Sequence, residues 1–287
     1  MAKTIPLGLP NEECRRTEPY VEAVSALPPE PDERRMLFGI PMSCVTFQDV
    51  CRLIARQIRD RQPGFVVTPN VDHICRFQRD PSFREAYRNA WLVLPDGVPL
   101  IWVARWLGVP LRQKLSGSDL VPWLSEFAAA KGYSVFFFGA AEGVAEDCAD
   151  RLRRRWPGLR VAGVYSPPLG FELDPAELAR ALHRIRASAP DICFVALGSP
   201  KQELWLHQYT QELGVPVIIG VGAGLDFAAG RLRRAPIWVQ RMGLEWFWRL
   251  ALEPRRLWRR YLVDDSLFFV LLFREWSQRL TKKPAGR

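Results

Sequence analysis

The feature that most limits the folds open to this chain is a rhythm. Short runs that are apolar throughout recur between longer stretches that are apolar on one helical face only. "GFVVTP" (64–69), "WLVLP" (91–95), "YSVFFFG" (133–139), "RVAGVY" (160–165), "DICFVALG" (191–198) and "VPVIIGVG" (215–222) predict buried strands. Between them the spacing predicts helices near 71–89, 98–107, 118–131, 141–156, 174–188 and 201–213. A strand with two apolar faces needs cover on both, and a helix-length crossover returns the chain for a parallel neighbour. The pattern therefore predicts an α/β fold with a Rossmann-like, doubly wound parallel sheet. Ahead of it, "MLFGI" (36–40) reads as one more strand. Thr46 reads as the N-cap of a helix to about Gln62, with Phe47, Val50, Cys51, Ile54 and Ile58 on one face.

The rhythm begins near Arg34 and stops at Gly230, which divides the chain in three. Residues 1–33, rich in Pro and Glu, read as a flexible arm with no assigned function. Residues 34–230 form the expected catalytic domain. Residues 231–287 read as two or three helices broken near Pro254, a helical and membrane-associating appendage. Charge divides at the same place. Of the net +9, residues 231–287 carry 14 Arg and Lys against 5 Asp and Glu, so residues 1–230 are neutral. The same tail holds five of the eleven tryptophans. Basic side chains interleaved with indole rings suit an anionic membrane surface or a nucleic acid better than plain water.

No run of about 18 apolar residues occurs, and the first residues lack the apolar core of a signal peptide. The expected location is cytoplasmic and peripheral. "LFFVLLF" (267–273) is long enough to lie in a membrane interface but too short to span it. The six cysteines show no CxxC spacing and read as small core residues.

Ligands of open parallel sheets bind beyond the carboxyl ends of the strands, so those positions carry the functional reading. They are Thr68 and Asn70; Asp96 with Gly97; Gly139; Gly198 with Ser199, Pro200, Lys201 and Gln202; and Gly220, Gly222 and Gly224 with Asp226. Glycine turns that lead into helix N-termini suit phosphate, which points to a nucleotide or sugar nucleotide. Asp96, taken alone, is also a plausible helix cap. Next to the hydroxyl of Thr68 and the amide of Asn70, its carboxylate could instead hold sugar hydroxyls and accept a proton from one.

Other chemistries lack their signatures. "GVGAGL" is not the dinucleotide GxGxxG, which counts against a Rossmann oxidoreductase, and no GxxxxGK[ST] or GxSxG occurs. His73, His183 and His207 have no metal-ligand spacing, and there is no D-x-D to place a divalent ion on a diphosphate. No cofactor and no metal are expected. The charge of a leaving diphosphate would fall to helix ends and to basic side chains. Arg249, Arg256 and Arg259 would share one helical face if Pro254 did not bend the segment. A non-catalytic tail that binds lipid or nucleic acid would explain the charge but not the polar strand ends.

The ordered series "TPNVDH", "LPDGVPLIW", "SGSDLVPWL", "FFFGAAEGVAE", "ALGSPKQELW", "GVGAGLDFAAG", "RRAPIWVQRMGLEWFWRL" and "EPRRLWRRYL" resembles the WecG/TagA/CpsF family of bacterial glycosyltransferases over roughly 36–262. The resemblance implies inverting, metal-independent transfer of a hexose from a UDP-sugar to a polyprenyl-diphosphate-linked saccharide at the inner face of the cytoplasmic membrane. N-acetylmannosamine, its uronate, glucose and glucuronate are the donor sugars it allows. It further implies Asp96 as general base and Thr68 and Asn70 as sugar-binding neighbours. Gln202 and Asp226 would line the nucleotide pocket, and Arg249, Arg256 and Arg259 would meet the diphosphate. Lys114 stands where many members carry Arg, which keeps the charge but loses the bidentate fork. Nucleic acid is not an implied partner, and the resemblance is compatible with an oligomer.

Overall fold

A computed structural model describes residues 33–259 and 265–281; the arm read over 1–33 lies outside the described residues except for Glu33. The "MLFGI" stretch is not one strand. It turns at Phe38 (φ 52°) and Gly39 (φ 81°), and so joins β1 (Arg34–Leu37) to an antiparallel partner, β2 (Ile40–Ser43). Two successive left-handed residues reverse a chain tightly, and an apolar run cannot reveal that reversal.

The central sheet has six strands: β3 (Gly64–Val67), β4 (Leu92–Val93), β5 (Ser134–Gly139), β6 (Arg160–Tyr165), β7 (Ile192–Ala196) and β8 (Val217–Gly220). Their order is β4-β3-β8-β7-β5-β6, and every pairing is parallel. Alternate residues feed two separate cores. Phe65, Val67, Phe136, Phe138, Cys193, Val195 and Ile218 pack on one face, under α2 (Val71–Arg79), α3 (Pro81–Asn89), α4 (Val98–Trp106), α7 (Pro175–Ser188) and α8 (Lys201–Leu213). Val66, Val135, Phe137, Ile192, Phe194, Val217 and Ile219 pack on the other, under α1 (Phe47–Asp60), α5 (Gly117–Lys131), α6 (Val144–Arg155) and α9 (Gly224–Ala229). Burial of each large side chain contributes about 1.5–3 kcal/mol, so the apolar strands specify a sheet covered on both sides. β6 departs from the expectation of a buried strand: it is the sheet's edge and stays partly exposed along its length.

Local chemistry sets the ends of the elements. Thr46 and Asp49 form a reciprocal capping box on α1. The single helix expected over 71–89 is two, because Pro81 has no amide to continue α2, while Asp80 caps α3. The five described cysteines, at 44, 51, 75, 148 and 193, are buried and free.

Beyond Gly230 lie α10 (Ile237–Arg241), α11 (Glu245–Leu252), α12 (Pro254–Arg259) and α13 (Leu267–Thr281). α13 rejoins the body: Phe268 and Leu271 are buried in the first core, and the Phe268 ring lies 5.4 Å from that of Phe38. Arg279 also donates to the carbonyls of Met36 and Leu107, at 3.0 and 3.2 Å. α11, by contrast, buries no residue. Among the described residues no helix is long and apolar enough to cross a membrane.

Candidate active site

The crossover from β5 to β6 runs through α6 on one face of the sheet, whereas that from β7 to β8 runs through α8 on the other. β5 and β7 are neighbours, so their connections diverge and leave a crevice at their carboxyl ends. A cavity of about 1010 Å³ opens there. Thr68, Asn70, Asp96, Gly139, Gly198, Gln202, Gly222, Asp226 and Arg249 all line it. Of the remaining strand-end residues, Ser199, Lys201 and Gly224 line it too, whereas Gly97, Pro200 and Gly220 do not.

Lys114, Arg256 and Arg259 sit differently. Lys114 is not on the cavity wall; its Nζ lies 3.1 Å from Asp119 and 3.2 Å from Glu245, behind Asp96. α11 stops at Leu252 and Pro254 opens α12, so Arg249 and Arg259 stand on different helices. Arg249 reaches the cavity, Arg259 is exposed on α12, and the side chain at position 256 lies outside the described residues.

Backbone shape makes the floor. At Gly139 φ is 93°, and a Cβ would come within 2.5 Å of the Ala196 carbonyl oxygen, so no side chain fits between the ends of β5 and β7. The Asn70 side chain accepts from the His73 amide at 3.2 Å and caps α2. Thr68 donates to the Gly220 carbonyl at 3.3 Å, tying the end of β3 to that of β8. Gln202 is buried, accepts from the Gly222 amide at 2.9 Å and donates to Glu203 at 3.0 Å. It shapes the turn after β8 from beneath.

Asp96 is not a helix cap. Gly97, at φ 101°, holds that position in α4, and no side chain caps the helix. The Asp96 amide donates to the Pro69 carbonyl at 2.8 Å, which fixes the residue beside the end of β3 and leaves the carboxylate at the cavity wall. Burial raises its pKa to about 7; Glu245 and Asp119 add to the rise, while Lys114 and Arg249 oppose it. A carboxylate in that range can take a proton near neutral pH. A second acid, Glu203, also lines the cavity, fully buried, and burial raises it to about 7 as well. His73 lines the cavity too, with Nδ1 2.7 Å from the Tyr87 hydroxyl. Glu203 lies in "ALGSPKQELW", but its burial and its partners are set by packing. Among the described residues no group of three or more His, Cys, Asp or Glu is placed to hold a metal ion.

Fold and site define a class: a doubly wound α/β protein with its cavity across the carboxyl ends of a parallel sheet and two near-neutral acids, Asp96 and Glu203, on the wall. The chain also matches the family model described as "Glycosyl transferase WecG/TagA/CpsF family" over residues 35–282. It belongs to that glycosyltransferase family. It is 36% identical over 235 residues to an N-acetylglucosaminyldiphosphoundecaprenol N-acetyl-beta-D-mannosaminyltransferase of Bacillus spizizenii, covering 82% of this chain and 88% of the relative. A protein of the same name from Bacillus subtilis is 32% identical over 221 residues, 77% of this chain and 84% of its own length. One from Staphylococcus aureus is 27% identical over 195 residues, 68% and 74% respectively.

Proposed function

We propose that the chain transfers a hexose from a UDP-sugar to a polyprenyl-diphosphate-linked saccharide, with inversion and without a divalent ion, at the cytoplasmic face of the membrane. The sugar, on the pattern of its relatives, is N-acetylmannosamine, and the acceptor is N-acetylglucosamine on its lipid diphosphate. The observation that carries the reading is Asp96, a partly buried acid whose pKa desolvation raises to about 7, on the wall of a strand-end cavity.

In this mechanism Asp96 removes the proton of the acceptor hydroxyl as its oxygen bonds to the anomeric carbon. The bond from that carbon to the diphosphate oxygen breaks, and UDP leaves with the electron pair from the opposite face. The relatives' name specifies a β-linked product, which inversion gives from an α-linked donor. Thr68 and Asn70 flank the sugar, and the turns at Gly139, Gly198 and Gly222 face the nucleotide with Asp226. Arg249 meets the diphosphate. Its Nε is buried and has no hydrogen-bond partner among the described residues, which fits a group that awaits an anion. The tail's exposed Trp238, Phe247, Trp258 and Phe273, with its basic excess, rest on the anionic membrane surface that carries the acceptor.

UDP release from UDP-N-acetylmannosamine, in the presence of a short-chain lipid-diphosphate N-acetylglucosamine, tests the proposal. Release that requires the acceptor and persists in a metal chelator is expected. Release only with a different UDP-sugar would overturn the donor, and an absolute need for a divalent ion would overturn the metal-free step.

A further inference from the structure

Four charged side chains close a square beside the cavity. Lys114 bridges Asp119 and Glu245 at 3.1 and 3.2 Å, and Arg234 bridges Asp119 and, at 3.7 Å, Glu245. Lys114 and Asp119 come from the body; Arg234 and Glu245 come from the tail. Two of the four ion pairs therefore cross the seam. The side chains keep between 9% and 26% of their exposure, so these pairs are far less screened than those on an open surface.

The square has a property that ordinary buried ion pairs lack. Each side of the seam holds one cation and one anion. If the tail unseats, the square splits into Lys114–Asp119 and Arg234–Glu245, and no lone charge is left buried. The penalty that makes most buried pairs hard to separate is then largely absent. α11 buries no residue, so its seating relies on such polar contacts more than on apolar area.

Asp96 faces this assembly. The charged and titratable groups around it are Lys114 from the loop before α5, Asp119 from α5, Glu245 and Arg249 from α11, Arg234 from the loop before α10, and Tyr87 from α3, with His73 of α2 and Glu203 of α8 on the same cavity wall. We propose that Lys114 and Glu245 are positioning residues for the transfer: their ion pair across the seam couples the seating of α11, and of Arg249 with it, to proton acceptance by Asp96. This rests on the reading of Asp96 as the general base. Lys114 favours the carboxylate and Glu245 disfavours it, so the two partners of one ion pair act on the base with opposite sign.

That sign difference is the test. The pH profile of kcat is measured for the full chain and for Lys114→Gln, Glu245→Gln, the double variant and Asp96→Asn. The acid limb of Lys114→Gln should move to higher pH and that of Glu245→Gln to lower pH, each on the order of 1 unit. The double variant should return toward the parent. A merely structural latch would lower both rates and leave the limbs together. Limbs that stay together, or that move the same way, overturn the coupling. A normal rate in Asp96→Asn overturns the base reading instead, so the two failures are distinct. If Lys114→Gln does not fold, Glu245→Gln decides alone: a downward shift supports the coupling, and an unmoved or upward limb overturns it.

Discussion

The strand-end floor and the tail that covers it follow opposite rules. The floor is made largely of backbone: glycine turns, capped helix ends and buried side chains that hold one another, such as Gln202 on Gly222. The tail presents side chains: an excess of basic residues, exposed indoles at Trp238 and Trp258, and an arginine whose Nε has no hydrogen-bond partner among the described residues. A rigid floor places a reacting acid to within a fraction of an ångström, whereas the tail keeps groups unsatisfied for a ligand or a surface to meet. The tail is not uniform, however. α13 shares the body's core through Phe268 and Leu271, while α11 touches the body mainly through charge. A cut after Gly230 therefore removes a piece of the core together with the cover.

The contrast can be broken or sharpened by experiment, beginning with the largest effect. Asp96→Asn should lower turnover by about 10²- to 10⁴-fold and leave UDP affinity nearly unchanged, as read by UDP release and calorimetry. Full turnover would transfer the chemistry away from the floor. Phe268→Ala should cost about 3 kcal/mol in urea unfolding, because α13 counts as body; a change under about 0.5 kcal/mol would return α13 to the tail. Arg249→Ala should weaken UDP binding by roughly 10- to 100-fold, the scale of a charge-assisted hydrogen bond, with little loss of stability. In the parent protein, turnover should rise with pH through about 7 as Asp96 loses its proton, since its folded pKa lies above the usual carboxylate range. A profile already flat at pH 6 would contradict a raised acid. Trp238→Ala with Trp258→Ala should change stability by no more than about 0.5 kcal/mol while reducing co-sedimentation with anionic vesicles. Undiminished sedimentation would place the membrane contact elsewhere.

Much of the fold was legible because burial on both faces leaves a direct mark on composition. Runs such as "YSVFFFG" could only be interior strands, and Phe136, Phe137 and Phe138 prove fully covered. The β1–β2 hairpin inside "MLFGI" and the edge position of β6 were not legible. A turn within an apolar run and the lack of a neighbour leave no clear trace in residue type. At the candidate site, the rule that ligands sit at strand ends was enough to bring Asp96, Thr68, Asn70, Gly139, Gly198, Gly222 and Gly224 to one cavity. Lys114, which the family resemblance and not that rule singled out, faces Glu245, a residue 131 positions away.

By itself the sequence determined the parallel sheet, the strand-end placing of the candidate site residues, the neutral body and the basic tail. Each depends on local periodicity or on composition, which folding cannot change. Tertiary structure alone decided that Asp96 is no cap, that Glu203 is a second near-neutral acid, that Pro254 parts the arginines, and that Lys114, Asp119, Arg234 and Glu245 close a square. Those outcomes depend on distance and desolvation between residues far apart in the chain, and both come into being only when the layers pack.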